Sequence, residues 1–364
     1  MKSITKIVIT GGPCAGKTTG FGRIEQELTQ NGYKVFIVPE TFTEMFNGGI
    51  KLLEYDTVTF QTMLMKFLAY KEEIYTMAAE AAKEDKVVIL YDRGMIDNKA
   101  YMTEEQFQQV LKNLGKTEIE LRDEYDAVIH LVTAANGAEE FYSLGNKARY
   151  ESLEIAREVD DKLIRAWTGH PHFRIVDNST GFDEKITRLM NEIYAVLGIP
   201  VPLEIEKKFL IEMPDLEHIQ SNFNCTKCDI IQTYLWADDE VTERRIRQRG
   251  LNGNYSYYYT EKREVSDASR YEVERKISES EYLDLMLLWD YKTNPIRKTR
   301  YCFVWKNLYF ELDIYPFWDD KAILEIELTS ENDEIAIPDF ISVIREVTND
   351  KSFKNRSLAL RKPE

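Results

Sequence analysis

Only four cysteines and four histidines occur in the 364 residues. Four thiols in a chain this long cannot staple it, so a disulfide framework is excluded and a reducing, cytoplasmic setting is expected. Cys225 and Cys228 form a lone Cys-x-x-Cys with only His218 nearby, so zinc is not expected there. No run of about 20 apolar residues occurs, which excludes a membrane-spanning helix of the usual kind. The start, MKSITKIVITGG, passes straight into a strand-like run and lacks the cleavage pattern of a secretory signal. Basic excess is also missing. The net charge is −16, with 23 basic against 31 acidic residues up to Pro200 and 24 against 32 beyond it. Neither half is a nucleic-acid module by bulk charge, so no sequence-specific nucleic-acid partner is expected.

What is present is ordinary folding material: 43% apolar, 30% charged and 12% aromatic residues. The length suggests two domains. The first half alternates apolar runs at 6–10, 34–40, 87–92, 126–132 and 172–178 with helical stretches, the pattern of a parallel sheet covered on both faces. Met, Phe and Tyr in 60–77 read as helical core. A helix ending at Gly198 and the two prolines of IPVP place a boundary near residue 200. Beyond it, segments from 203 to 329 alternate with period two, which reads as an antiparallel β-barrel. The expectation is an α/β domain over 1–200 and a β-rich domain over 201–364.

Gly11-Gly12-Pro13-Cys14-Ala15-Gly16-Lys17-Thr18 fits G-x-x-x-x-G-K-[ST], between a strand and a helix. Backbone amides of such a loop and of the helix start, through Thr19, cradle phosphate oxygens. Lys17 is placed to reach the β/γ-phosphates of ATP or GTP, and Thr18 to ligate Mg²⁺. Asp92-Arg93-Gly94 ends the third strand and Glu40 the second, both at the edge where ligands collect in open α/β sheets. This arrangement resembles the P-loop nucleoside and nucleotide kinases, and YDRGMIDNKAY is similar to the nicotinamide-riboside kinase branch. The resemblance implies roles for Glu40 and Asp92 in metal or acceptor chemistry, and a lid over 136–150 carrying Lys147 and Arg149. Asp177-Asn178, after strand five, could contact the base.

After residue 200 the alternation is charged. Glu204, Glu206 and Lys208 share one strand face, as do Arg245, Arg247 and Arg249, and so do Arg270, Glu272 and Glu274. Lys298 with Arg300, Glu311 with Asp313, and Glu325 with Glu327 repeat the spacing. Both signs on one face fit a wall that binds a polyanion and its neutralising metals, since carboxylates suit hard divalent cations and Arg or Lys suit phosphate oxygens.

ExExK, an RxRxR-like strand, RxExE, KxR, a later Asp and a final ExE occur in the order of the CYTH, or triphosphate tunnel metalloenzyme, family, which this half resembles. The resemblance implies Mg²⁺- or Mn²⁺-dependent hydrolysis of a triphosphate. It gives Glu204, Glu206, Glu325 and Glu327 as metal ligands with Asp313 or Glu274 in support. Lys208, Arg245, Arg247, Lys262, Arg270, Lys298 and Arg300 become phosphate contacts. The domain order is similar to a fused family that includes a GTP-binding photoreceptor trafficking protein, which adds an acidic lipid to the implied partners. The expected protein is a metal-dependent triphosphatase joined to a P-loop NTPase or kinase. The alternative is a nucleotide-switched module whose tunnel binds without turnover. The basic C-terminal stretch 354–362 reads as a frayed end.

Overall fold

Ile7, Val8 and Ile9 are wholly buried, as are Val88, Ile89, Leu90 and all of 127–131. Strands so apolar must be covered on both faces, and the computed structural model shows how. It describes residues 2–142, 152–199, 205–237, 242–266, 269–328 and 335–360. The chain divides into two units, Met1–Pro202 and Leu203–Glu364.

The first unit runs β1 (Ser3–Gly11), α1 (Lys17–Gln30), β2 (Lys34–Val38), α2 (Thr41–Asn47), α3 (Thr57–Ala81), β3 (Lys86–Asp92), α4 (Glu104–Leu114), α5 (Glu118–Arg122), β4 (Ala127–Leu131), α6 (Leu153–Trp167), β5 (Phe173–Val176) and α7 (Phe182–Leu197). A 3₁₀ segment, Met95–Tyr101, follows β3. All five strands are parallel in the order β2-β3-β1-β4-β5. Ile24 and Leu28 of α1 and Ile186, Leu189 and Ile193 of α7 pack on one face against Ile7, Ile9, Val88, Leu90 and Ile129. α3 and α6 lie against the other face.

The α3 sequence is only half core. Phe60, Leu64, Met65 and Leu68 are buried, but Phe67, Tyr70, Ile74 and Met77 of the same run are exposed. This corrects the reading of the whole 60–77 stretch as interior.

The second unit contains β6 (Ile205–Glu212), α8 (Leu216–Asn222), β7 (Cys225–Leu235), β8 (Thr242–Leu251), β9 (Asn254–Ser266), β10 (Ser269–Ile277), α9 (Glu279–Met286), β11 (Ile296–Trp305), β12 (Leu308–Ile314), β13 (Lys321–Leu328), β14 (Val343–Glu346) and α10 (Asn355–Leu360). Nine strands form one sheet in the order β10-β9-β8-β7-β11-β12-β13-β6-β14. Its pairings are antiparallel, and no hydrogen-bonded closure joins β10 to β14 among the described residues. Phe209, Ile211, Phe303, Phe310, Leu312, Leu324 and Ile326 form an apolar core on one face, with Ile219 of α8 and Ile341.

The end of the chain is docked, not frayed. Ala359 is fully buried beside Leu210, Tyr234, Ile296, Tyr315 and Ile323, its carbonyl accepts from Asn294 N at 2.8 Å, and Asn355 Oδ1 accepts from the Tyr315 hydroxyl at 2.9 Å. Residues 361–364 lie outside the described set. No helix among the described residues is long and apolar enough to cross a membrane.

Candidate functional sites

The loop after β1 leaves the sheet through backbone that only glycine tolerates. Gly11 has φ 144°, and a Cβ there would sit 2.2 Å from the Leu131 carbonyl oxygen. Gly16 (φ 92°) precedes α1, and no side chain caps the first turn, so its amides are directed at whatever fills the loop. Lys17 Nζ folds back to donate to Gly11 O at 3.3 Å. Burial, with Arg93 adding to it, pushes this ammonium down to about 8 against the opposing pull of Asp92, Glu40 and Asp97.

The carboxyl ends of β2 and β3 meet here. Arg93, held at φ 72°, donates through Nε to Glu40 Oε1 at 2.8 Å, and its Nη1 lies 3.5 Å from Asp97 Oδ1. Thr43 donates to the other Glu40 oxygen at 2.6 Å. Burial would raise the Glu40 carboxyl, but Arg93, Thr43 and Lys17 outweigh it and hold it low. Asp92 goes the other way: burial raises it despite Lys17, and its Oδ1 is buried without a hydrogen-bond partner. A buried, unsatisfied carboxylate oxygen near an ammonium and an exposed Thr18 hydroxyl is a hard-oxygen donor set that fits Mg²⁺.

Two anchors in this site were not anticipated. Asp160 of α6 accepts from Gly12 N at 2.7 Å and Thr133 N at 3.2 Å, and sits 3.1 Å from His130 Nε2. Asp97 accepts from Gly94 N at 2.7 Å, Trp167 Nε1 at 3.3 Å and the Thr10 hydroxyl. Asp160 interrupts the buried stripe Ala156, Leu163, Ile164 and Trp167, and a carboxylate on an apolar face was the available signal. Asn178 Nδ2 donates to Thr133 O and Asn136 O at 2.8 and 2.7 Å, so it ties the loop after β4 in place, while Asp177 pairs with Arg188 at 2.8 Å. Lys147 and Arg149 lie outside the described residues.

In the second unit, strand register decides which charges meet. Arg245, Arg247 and Arg249 of β8 stand opposite Thr260, Tyr258 and Ser256 of β9, and opposite Tyr234, Gln232 and Ile230 of β7. Thr260 and Lys262 stand opposite Glu274 and Glu272. On the other side, Ile230 and Cys228 pair with Lys298 and Arg300, Arg300 with Asp313, Glu311 with Glu325, Glu325 with Lys208, and Glu327 with Glu206. All these positions share one face, since registers that keep parity keep the face. Cys225 and Cys228 differ by an odd number on β7 and point to opposite faces, so they cannot share a zinc ion.

Lys208, Arg247, Lys298 and Arg300 on this face are already paired with carboxylates. Arg300 holds Asp313 through Nε at 2.7 Å and Nη2 at 2.6 Å, and reaches Glu325 at 2.8 Å and Glu311. Lys298 also donates to Asp313. Lys208 lies between Glu325 at 2.8 Å and Glu206 at 3.0 Å. Arg247 grips Glu274 at 2.6 and 2.7 Å under the Tyr258 ring, and its Nε is buried without a hydrogen-bond partner.

Burial would lower the Lys208 ammonium, yet Glu325 and Glu206 hold it above its ordinary value. Burial would likewise raise Glu325, but Lys208, Lys298 and Arg300 hold it far below the carboxylate range. Glu327 is exposed. Glu204 and the Arg270 side chain lie outside the described residues, and no three His, Cys, Asp or Glu converge as a metal cage among those described.

Residues 6–185 match the model of an AAA domain family. An inorganic triphosphatase of Nitrosomonas europaea is 32% identical over 166 residues, covering 44% of this chain and 99% of that protein. A crystal structure of an inorganic triphosphatase, 29% identical, covers 44% of this chain and 97% of its own, with a TM-score of 0.32. A deoxyadenosine kinase from M. mycoides with bound dATP is 17% identical and covers 52% of this chain and 98% of its own, with a TM-score of 0.37.

Proposed function

We propose that this protein, which belongs to the family of the Nitrosomonas inorganic triphosphatase, hydrolyses a triphosphate on the charged face of its second unit and binds Mg·ATP or Mg·GTP at the loop of its first. The observation that carries the reading is the single face on which Arg and Lys side chains alternate with carboxylates across the strands from β10 to β6. In this reading the sheet curls into a barrel and that face lines its tunnel.

Lys208, Arg245, Arg247, Lys262, Lys298 and Arg300, with Arg270, take phosphate oxygens as charge-assisted donors. Glu206, Glu325 and Glu327, with Glu204, supply the hard oxygens that suit Mg²⁺ or Mn²⁺, supported by Asp313 or Glu274. Such a metal would polarise a phosphoryl group and lower the pKa of bound water. Because Lys208 and Arg300 are held by Glu325, Glu311 and Asp313, an incoming triphosphate exchanges partners with carboxylates instead of meeting bare cations.

In the first unit Lys17 reaches the β/γ-phosphates, and Thr18 and Asp92 offer oxygens to Mg²⁺. Glu40 is fixed by Arg93 and Thr43, and Asp92 has the raised affinity for a proton that a base on an acceptor hydroxyl needs. Release of inorganic phosphate from tripolyphosphate in Mg²⁺, lost in Glu206→Gln and in EDTA, tests the tunnel reading. Tight tripolyphosphate binding with no phosphate released by the wild type would replace it with a binding module.

A further inference from the structure

The outward face of α3 has no use in either site, yet its pattern is regular. Met63, Phe67, Tyr70, Ile74, Met77 and Ala81 follow one another at steps of four, three, four, three and four. Phe67 is 40% exposed, Tyr70 60%, Ile74 42% and Met77 56%, while Met65, Glu72 and Ala79, midway round the helix, face the unit's own interior. A 3.5-residue apolar repeat over nearly three heptads is the seam of a two-helix coiled coil. Ordinary surface helices carry apolar residues singly, not as a continuous stripe.

We infer that this seam pairs with the same seam of a second copy, antiparallel about a two-fold axis. The bordering charges select that occupant. Lys66, Glu73 and Glu80 stand seven apart along one side of the stripe and are exposed. A two-fold axis that stacks Phe67 on the partner's Met77 and Tyr70 on the partner's Ile74 also brings Lys66 to the partner's Glu80, two attractive pairs against a single Glu73–Glu73 repulsion at the axis. The apolar layers then match by size, and Phe67 meets a thioether, a favourable contact. A parallel pairing would give Lys66 no acidic partner, because the position it would meet is Lys71, which is buried and held by Glu44. An isologous contact of this kind closes on itself and yields a dimer, not a fibre.

The test is sedimentation velocity of the full chain across the micromolar range, with circular dichroism to confirm folding. Wild type should show a concentration-dependent dimer, and Ile74→Lys should be monomeric throughout. Lys66→Glu and Glu80→Lys should each weaken dimerisation about tenfold, since two attractive pairs become repulsive. The double variant should return to within about threefold of wild type. A monomeric wild type overturns the inference. So does an Ile74→Lys variant that dimerises unchanged, or a double variant as weak as either single. An Ile74→Lys variant that melts earlier with no change in mass would mean the seam is covered by its own chain, which also overturns it.

Discussion

Asp313→Asn isolates the partner exchange that the proposed triphosphate binding would require. Asp313 is fully buried and holds two cations, Lys298 and Arg300, the latter through a bidentate contact at 2.6–2.7 Å. Removing one member of a buried ion pair and leaving the other charged costs about 3–5 kcal/mol. Glu311 and Glu325 still reach Arg300, which places the loss near the lower figure, about 3 kcal/mol. Four of the five tryptophans (Trp236, Trp289, Trp305 and Trp318) lie in the second unit, so fluorescence in urea reads mainly that unit.

Metal-free tripolyphosphate should then narrow the gap. A ligand at about a hundred times its Kd stabilises by about 2.7 kcal/mol. In the variant it also meets cations no longer neutralised by a carboxylate, so the variant gains more. The difference from wild type should shrink to about half at saturation. A loss below about 1 kcal/mol, or a difference that tripolyphosphate leaves unchanged, would refute the idea that Asp313 stands where phosphate must compete.

Lys17 has its ammonium depressed to about 8, so it is fully charged only below that pH. Nucleotide affinity should be flat below pH 7 and fall by up to about tenfold per unit above 8, whereas Lys17→Met should be weak and flat; isothermal titration in paired buffers reads both the affinity and the proton uptake. Glu72, half-buried and bonded to the Tyr125 hydroxyl at 2.5 Å, is raised to about 7 by desolvation. Its folded value lies above its unfolded one, so stability is full below the unfolded value near 4.5 and lost as pH rises to 7. Glu72→Gln should therefore recover about 3 kcal/mol at pH 8 and little at pH 4, in urea titrations. Asp160→Ala should weaken nucleotide binding about tenfold or more by releasing Gly12 and Thr133, with phosphate release from tripolyphosphate unchanged if the two sites are independent.

Legibility followed sequence distance. The phosphate loop is eight consecutive residues whose backbone demands, such as φ 144° at Gly11, leave a direct mark on composition. The charged face was legible because a strand's period of two survives assembly whenever registers keep parity, as they do at Lys262–Glu272 and Glu325–Lys208. What hid were contacts made across the chain. Asp160 meets Gly12 from 148 residues away, and Asp97 meets Thr10 from 87.

The docked C-terminal helix hid for a different reason. Six residues are too short for a periodic signal, and basic neighbours mask Ala359. Its trace lay elsewhere, in Leu210, Tyr234, Ile296, Tyr315 and Ile323, which break the charged pattern at one end of the face. α3 misled because a helix apolar on two sides reads as buried all round.

The place of β6 in its sheet has a consequence for how the protein is made. β6 is the first strand of the second unit to be synthesised, yet it pairs with β13 and β14, the last two. The first unit has all its strand partners once β5 has left the ribosome, and it is free to fold during synthesis. The second must hold β6 unpaired through some 110 residues of translation, a long loop to close and a slow topology. During that interval Lys208 lacks Glu325, and the apolar side of the strand is open to other chains. A nonsense codon between β6 and β13 therefore removes both partners of β6 and strips Leu324, Ile326 and Ile341 from the apolar core, leaving a folded first unit trailing a sheet with an open, aggregation-prone edge.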